Sequence, residues 1–175
     1  MNDVILKSGK LIQKFLKFFK RYDMSKGDIA YDNFLSGLSC TQSVLCAFSE
    51  ETGLDEESSM KIAMPFGGGM GRMRLTCGAV TGMVMAYGLI FSPFTPPTRE
   101  EKAAHYAAVR DLSERFSSKT GSVICAELLG LKKAEESYVP EERTEEYYKK
   151  RPCPELCRLA ANILEDYIKE HSKTP

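Results

Sequence analysis

Residues 66–82 read Phe-Gly-Gly-Gly-Met-Gly-Arg-Met-Arg-Leu-Thr-Cys-Gly-Ala-Val-Thr-Gly, a glycine-rich loop that leads directly into a predicted helix. Six of these seventeen residues are glycine, which gives the backbone access to positive φ angles and to close contact with another group. No residue from Leu75 to Thr98 is charged, so we expect a helix over residues 77–91 that can be buried on all sides. Thr76 is the predicted N-cap of this helix, which places Cys77 in its first turn.

The charge-free segment is too short to cross a membrane. Its strongly apolar part, residues 79–91, is followed at once by Pro93, Pro96 and Pro97, whereas a bilayer needs a run of about twenty apolar residues. We therefore predict no transmembrane segment. Residues 77–91 are instead the expected buried central helix of the fold.

Helical periodicity and capping residues predict an all-α fold, and no strand-like alternation is present. Five further helices are predicted. The first begins at Cys40, is capped by Ser39 and is closed by Gly53, and the second runs from Asp55 to Met64. The third covers residues 99–119, and its predicted inward residues are Ala103, Tyr106, Ala107, Arg110 and Leu112–Phe116. The fourth is capped by Ser122 and contains Cys125, and the fifth opens at residues 151–154. A charged linker is predicted before the last helix. We expect one domain over residues 1–175, a bundle of about six to seven helices.

Residues 1–23 form a predicted amphipathic helix, with apolar residues on one face and lysines on the other. This pattern is typical of a first helix that docks on the core, and also of a basic helix that lies on a partner or a membrane surface. We favour docking on the core.

Composition limits the classes of function that the chain can have but does not identify one. The chain has 24 basic and 24 acidic residues, so its net charge does not indicate nucleic-acid binding. Its first twenty residues interleave lysines with apolar residues and lack the apolar run of a secretory signal, which predicts a cytoplasmic protein. A chain of this length needs no disulfides for stability, so the six cysteines favour metal, cluster or redox use.

Four cysteines fall at the starts of four predicted helices: Cys40, Cys77, Cys125 and Cys153. Helix N-termini stabilise anions, so we expect thiol pKa values lowered by several tenths of a unit. If the four helix ends converge, they form a four-thiolate pocket suited to an iron–sulfur cluster or another metal ion such as zinc. Cys157 lies one helical turn from Cys153 and can replace it.

Two other interpretations of the cysteines remain open. Thiol–disulfide exchange without metal would use pairs such as Cys40 with Cys77, or Cys125 with Cys153. The cysteines would otherwise be small buried residues of a helical interaction domain, the role that we predict for Cys46. Arg72 and Arg74 could hold an anionic cofactor or form a solvated rim, and His105 is expected on the surface or in a hydrogen bond.

Cys77–Gly82 matches the motif C-G-A-x-x-G, and Phe66–Gly71 reads Phe-Gly-Gly-Gly-Met-Gly. With the Cys-x-Gln-x-Val-Leu sequence from Cys40 to Leu45, these motifs resemble a bacterial and archaeal redox-active family named after its cysteine pattern, C, then C-G-A-x-x-G, then two further C. The resemblance covers about residues 34–164, and the two later cysteines correspond to Cys125 and to Cys153 or Cys157.

The resemblance implies a redox-active protein that binds an iron–sulfur cluster or another prosthetic group. From the cysteine positions we expect an electron carrier or redox accessory rather than a stand-alone enzyme. Such a protein would act with a redox partner protein, and it could also form a homo-oligomer. No catalytic residue is assigned. The glycines expected to let the backbone approach the bound group, and to donate amide hydrogen bonds to it, are Gly67, Gly68, Gly69, Gly71 and Gly78.

Overall fold

The computed structural model describes residues 24–131 and 137–172, and the predicted N-terminal helix over residues 1–23 lies outside them. The all-α prediction is confirmed, because the described residues contain helices and no β-strand. Their only β-type pairing is an isolated antiparallel bridge between Thr76 and Ile124.

Nine α-helices cover most of the described chain. They are α1 (Lys26–Leu35), α2 (Cys40–Leu45), α3 (Ser49–Thr52), α4 (Glu56–Ala63), α5 (Gly78–Phe91), α6 (Arg99–Thr120), α7 (Cys125–Leu128), α8 (Glu145–Lys150) and α9 (Cys153–His171), with 3₁₀ turns at Cys46–Phe48 and Met64–Phe66. The sequence did not predict α1, and α8 forms within the segment predicted to be a charged linker. Both helices begin at capping side chains, since Ser25 accepts from Asp28 N and Thr144 from Tyr147 N.

Local capping signals are confirmed at several helix ends. Ser39 and Gln42 form a capping box at the start of α2, and Gly53 and Gly121 end α3 and α6 with positive φ angles. The cap predicted for α5 is wrong, because Cys77 is its N-cap. Thr76 lies instead in the backbone bridge to Ile124.

Ser122 is likewise not the N-cap of α7, a position that Ile124 occupies. The Ser122 hydroxyl accepts a hydrogen bond from Ile124 N at 2.9 Å and donates one to the Glu127 carboxylate. Its side chain therefore stabilises the turn before α7. Pairing of Ile124 with Thr76 moves the start of the helix two residues past Ser122.

The core forms where α1, α2, α5 and α9 pack together. Its largest fully buried side chains are Phe34, Phe48, Phe116, Leu45, Met83 and Leu112. Small residues bring α5 close to α2: a Cβ on Gly82 would lie 2.8 Å from the carbonyl oxygen of Thr41. The two helices therefore touch through their backbones at this point.

Burial of two helices differs from the prediction. On α5, Ala79, Met83 and Ala86 are buried but Leu89 is 49% exposed, because neighbouring helices cover one face of α5 rather than its whole circumference. On α6, Leu112 and Phe116 are buried, as predicted. Its first half projects past the core, and the residues wrongly predicted to face inward there are exposed: Ala103, Tyr106, Ala107 and Arg110.

Among the described helices, none has the length and apolar character to span a membrane.

The contact at Gly82 gives a stability test. We expect Gly82→Ala to lower the free energy of unfolding by about 1–3 kcal/mol, because the added methyl group meets the α2 backbone, which cannot easily move. Gly88→Ala on the same helix is the matched control, since its Cβ would have only Ser92 Oγ nearby, at 3.8 Å. The control should gain up to about 1 kcal/mol from helix propensity. Urea unfolding of both variants measures the difference, and equal stabilities would contradict this packing.

Candidate redox site

The four cysteines predicted at helix starts line one cavity of about 520 Å³. Cys40, Cys125 and Cys153 are the first residues of α2, α7 and α9, and Cys77 is the N-cap of α5. The sequence predicted all four near helix starts, although the start of α7 lies two residues later than the predicted Ser122 cap implied. Their convergence is a result of the tertiary structure.

A short antiparallel backbone contact brings Cys77 and Cys125 together. Cys77 N donates to Val123 O at 2.8 Å, and Cys125 N donates to Leu75 O at 2.6 Å, on either side of the Thr76–Ile124 bridge. The start of α5 and the start of α7 are therefore held side by side by main-chain hydrogen bonds. This arrangement fixes both thiols on the same wall of the cavity.

Helix packing brings Cys40 to Cys153 and Cys157 on α9. The Cys40 thiol hydrogen-bonds to both of these thiols. The Cys157 sulfur also lies 3.8 Å from the backbone oxygen of Cys40 and is fully buried. Cys157 is not among the cavity-lining residues. It therefore contacts Cys40 from the protein interior rather than from the cavity.

The sixth cysteine lies elsewhere. Cys46 is buried, as predicted, in the 3₁₀ turn that follows α2. It lines a different cleft. All six cysteines belong to the described residues, and none of them forms a disulfide. His105 accepts or donates a hydrogen bond with Tyr87 Oη at 3.1 Å, as predicted for a hydrogen-bonded histidine, and it does not line the cavity.

The glycine-rich loop forms another wall of the cavity. All five glycines predicted to approach a bound group line it: Gly67, Gly68, Gly69, Gly71 and Gly78. The backbone from Gly68 to Arg72 keeps φ between 56° and 71°, a left-handed conformation that includes Met70. Internal hydrogen bonds close this turn, among them Leu75 N to Gly69 O at 3.1 Å.

Two of these glycines are required by the thiols themselves. A Cβ on Gly69 would lie 2.8 Å from the Cβ of Cys125, and one on Gly78 would lie 3.0 Å from the Cβ of Cys40. Real Cβ atoms almost never lie closer than 3.0 Å, and a contact at 3.0 Å already forces the neighbour to shift by a few tenths of an ångström. A side chain at either position would therefore displace a cysteine.

Arginines surround the thiols. Arg74 is only 4% exposed, so the solvated-rim interpretation is wrong for this residue, and its side chain hydrogen-bonds to the Cys125 thiol. Arg151 pairs with the Glu141 carboxylate and lies 4.9 Å from the centre of the Tyr147 ring. Arg143 donates to Phe34 O and Leu38 O at 3.0 and 2.9 Å. Sequence reasoning missed Arg143 and Arg151, although Arg151 stands two residues before Cys153.

Burial reverses the thiol pKa shift expected from the helix ends. Desolvation raises the pKa of Cys77 from 9.0 to about 12, and it also raises the pKa values of Cys125 and Cys157. The pKa of Cys153 rises because of its hydrogen bond to Cys40 and its burial. For Cys40 the hydrogen bond with Cys153 lowers the pKa, but the contact with Cys157 and burial outweigh it. The reduced thiols are therefore neutral at pH 7.

The thiols are not arranged around a single point. Among the residues that the structure describes, no group of three or more His, Cys, Asp or Glu side chains is placed to hold a metal ion. A zinc ion needs all its sulfur ligands at about 2.3 Å from one centre. The arrangement of the described residues thus gives no support to the single-ion form of the metal prediction.

Comparison with known proteins gives one match. A family model described as "Putative redox-active protein (C_GCAxxG_C_C)" matches residues 38–167. No curated protein and no solved structure matches the chain.

The raised thiol pKa values predict a specific pH dependence of stability. In the unfolded chain a thiol ionises near pH 9, whereas folded Cys77 keeps its proton to about pH 12, so unfolding releases a proton between these values. This contribution to stability is complete below pH 9 and is lost as the pH rises towards 12. We expect the melting temperature of the reduced, metal-free protein to fall more steeply over this range than that of Cys77→Ala. If the melting temperatures of the two proteins fall in parallel with pH, the raised pKa of Cys77 is contradicted.

Proposed function

Because the chain belongs to the family described as "Putative redox-active protein (C_GCAxxG_C_C)", we propose that the thiol-lined cavity is its redox centre and binds an iron–sulfur cluster. Cys40, Cys77, Cys125 and Cys153 are the proposed ligands. The observation that carries this proposal is that four thiols from four separate helix starts line one cavity. When bound, such a cluster supplies one-electron transfer, which makes an electron carrier or redox accessory the proposed role.

The residues around the cavity suit such a group. Four thiolates are the ligand set of common iron–sulfur clusters, and a cluster distributes them over several iron atoms, so they need not meet at one point. The close backbone approach at Gly69 and Gly78 keeps side chains away from Cys125 and Cys40. The charges of Arg74 and Arg151 act on Cys125 and Cys153 and favour their ionised forms.

Cluster binding would require these buried thiols to lose their protons. Because metal binds thiolate rather than thiol, loading releases protons and becomes more favourable as the pH rises. Arg74 compensates part of the negative charge that forms at Cys125, since its side chain already hydrogen-bonds to that sulfur. A redox partner protein and a cytoplasmic location complete the proposal.

Thiol–disulfide exchange is the second candidate, and one contact favours it. The Cys40 thiol hydrogen-bonds to Cys153 and to Cys157, so pairs of thiols are already adjacent. The pairs named from the sequence, Cys40 with Cys77 and Cys125 with Cys153, are not the ones joined by these hydrogen bonds. If the cysteines have a purely structural role, the protein neither binds a cluster nor exchanges disulfides.

Metal analysis separates these candidates. We expect protein purified without oxygen to contain iron and acid-labile sulfide in comparable amounts and to absorb visible light. Cys77→Ser should lose at least about nine-tenths of the iron, because a serine hydroxyl is a poor substitute for a thiolate ligand. Cys46→Ser is the matched control, a buried cysteine outside the cavity, and should keep its iron.

Two results would contradict cluster binding. One is protein without iron or sulfide even after anaerobic reconstitution. The other is equal loss of iron from the Cys77 and Cys46 variants, which would indicate a general loss of folding. Circular dichroism of each variant distinguishes misfolding from loss of a ligand.

A further inference from the structure

Cys157 has no role in the proposed cluster site, yet its thiol contacts Cys40, as the Cys153 thiol also does. Its sulfur lies 3.8 Å from the Cys40 backbone oxygen, and the two thiols hydrogen-bond to each other. The Cys157 side chain is fully buried. A cysteine beside another cysteine at this depth calls for an explanation beyond packing.

Access to the cysteines is unequal. Cys40 is the one cysteine of the six that is partly exposed, and it lines the cavity. A small molecule that enters the cavity therefore lies against Cys40. It cannot reach Cys157, which lies behind Cys40 and does not line the cavity.

We propose that Cys40 and Cys157 form a thiol–disulfide exchange centre for small disulfides, with Cys40 as the attacking thiol and Cys157 as the resolving thiol. The inference rests on the proposed redox role of the cavity and applies to the cluster-free protein. It replaces the pairs expected from the sequence with a different one. It also gives the fifth cysteine at the site a chemical function.

The reaction balances in two steps. The Cys40 thiolate attacks one sulfur of the substrate disulfide, forms a mixed disulfide, and releases the first substrate thiol. The Cys157 thiolate then attacks the Cys40 sulfur, the bond from Cys40 to the substrate breaks, and the second substrate thiol leaves. Two electrons pass from the protein thiols to the substrate, and the two thiol protons go to the two released thiols.

The lining of the cavity favours Cys157 over Cys153 for the second step. Displacement at sulfur needs the attacking and leaving sulfurs on opposite sides of the central one. A substrate bound to Cys40 lies in the cavity, which Cys153 also lines, whereas Cys157 approaches Cys40 from the interior.

Trapping the mixed disulfide tests the assignment. Reduced, metal-free full-length protein is exposed to oxidised glutathione at mildly alkaline pH, quenched with acid, and mapped by mass spectrometry. We expect the wild type to form a Cys40–Cys157 disulfide with little adduct. Cys157→Ala should accumulate a glutathione adduct on Cys40 about tenfold above wild type, because the resolving step is lost. Cys46→Ala should behave like the wild type. Cys153→Ala should still form the Cys40–Cys157 disulfide without extra adduct, but more slowly, because it loses the hydrogen bond that lowers the pKa of Cys40.

Each other outcome overturns the proposal. These are accumulation in Cys153→Ala instead, a Cys40–Cys153 disulfide in the wild type, or no reaction at Cys40. If Cys157→Ala fails to fold, Cys157→Ser is the second variant, since a hydroxyl keeps nearly the same volume and can donate to Cys40 O. The assay uses metal-free protein, so its result is independent of the iron analysis, and either proposal can fail alone.

Discussion

The antiparallel contact between residues 74–77 and 123–126 organises the site. Three main-chain hydrogen bonds make it, including Ala126 N to Arg74 O at 3.1 Å, and they hold the start of α5 against the start of α7. Because Cys77 and Cys125 stand at those two starts, their relative position depends on backbone geometry rather than on flexible side chains. The same contact ends the glycine-rich loop and turns Arg74 inward, where it is buried against Cys125.

Burial and charge oppose each other in the cavity. Desolvation keeps the thiols protonated, while Arg74 and Arg151 favour their ionised forms at Cys125 and Cys153. The net effect is a set of neutral thiols that become reactive only when a metal ion or a nearby positive charge stabilises the thiolate. Such a centre resists uncontrolled oxidation at neutral pH.

Local signals in the sequence predicted much of this structure. Ser39, Gly53 and Gly121 mark helix ends because capping depends on a few adjacent residues, and the Ser39 cap correctly placed Cys40 at a helix start. Structural features that depend on contacts between residues far apart in the chain could not be predicted. Thr76 was assigned as a cap because its bridge to Ile124 cannot be foreseen from spacing. The thiol pKa shift was predicted with the wrong sign because the depth of burial depends on the whole fold.

The thiol contacts join residues that are far apart in the chain, and Cys40 and Cys157 are separated by 117 positions. Such a centre assembles later during protein synthesis than one built on closely spaced cysteines. On the ribosome, Cys40 emerges well before α9, so during synthesis it lacks its neighbours Cys153 and Cys157 and the cavity wall that α9 provides. Acquisition of a prosthetic group, or formation of the interior thiol pair, must therefore follow synthesis of the last helix.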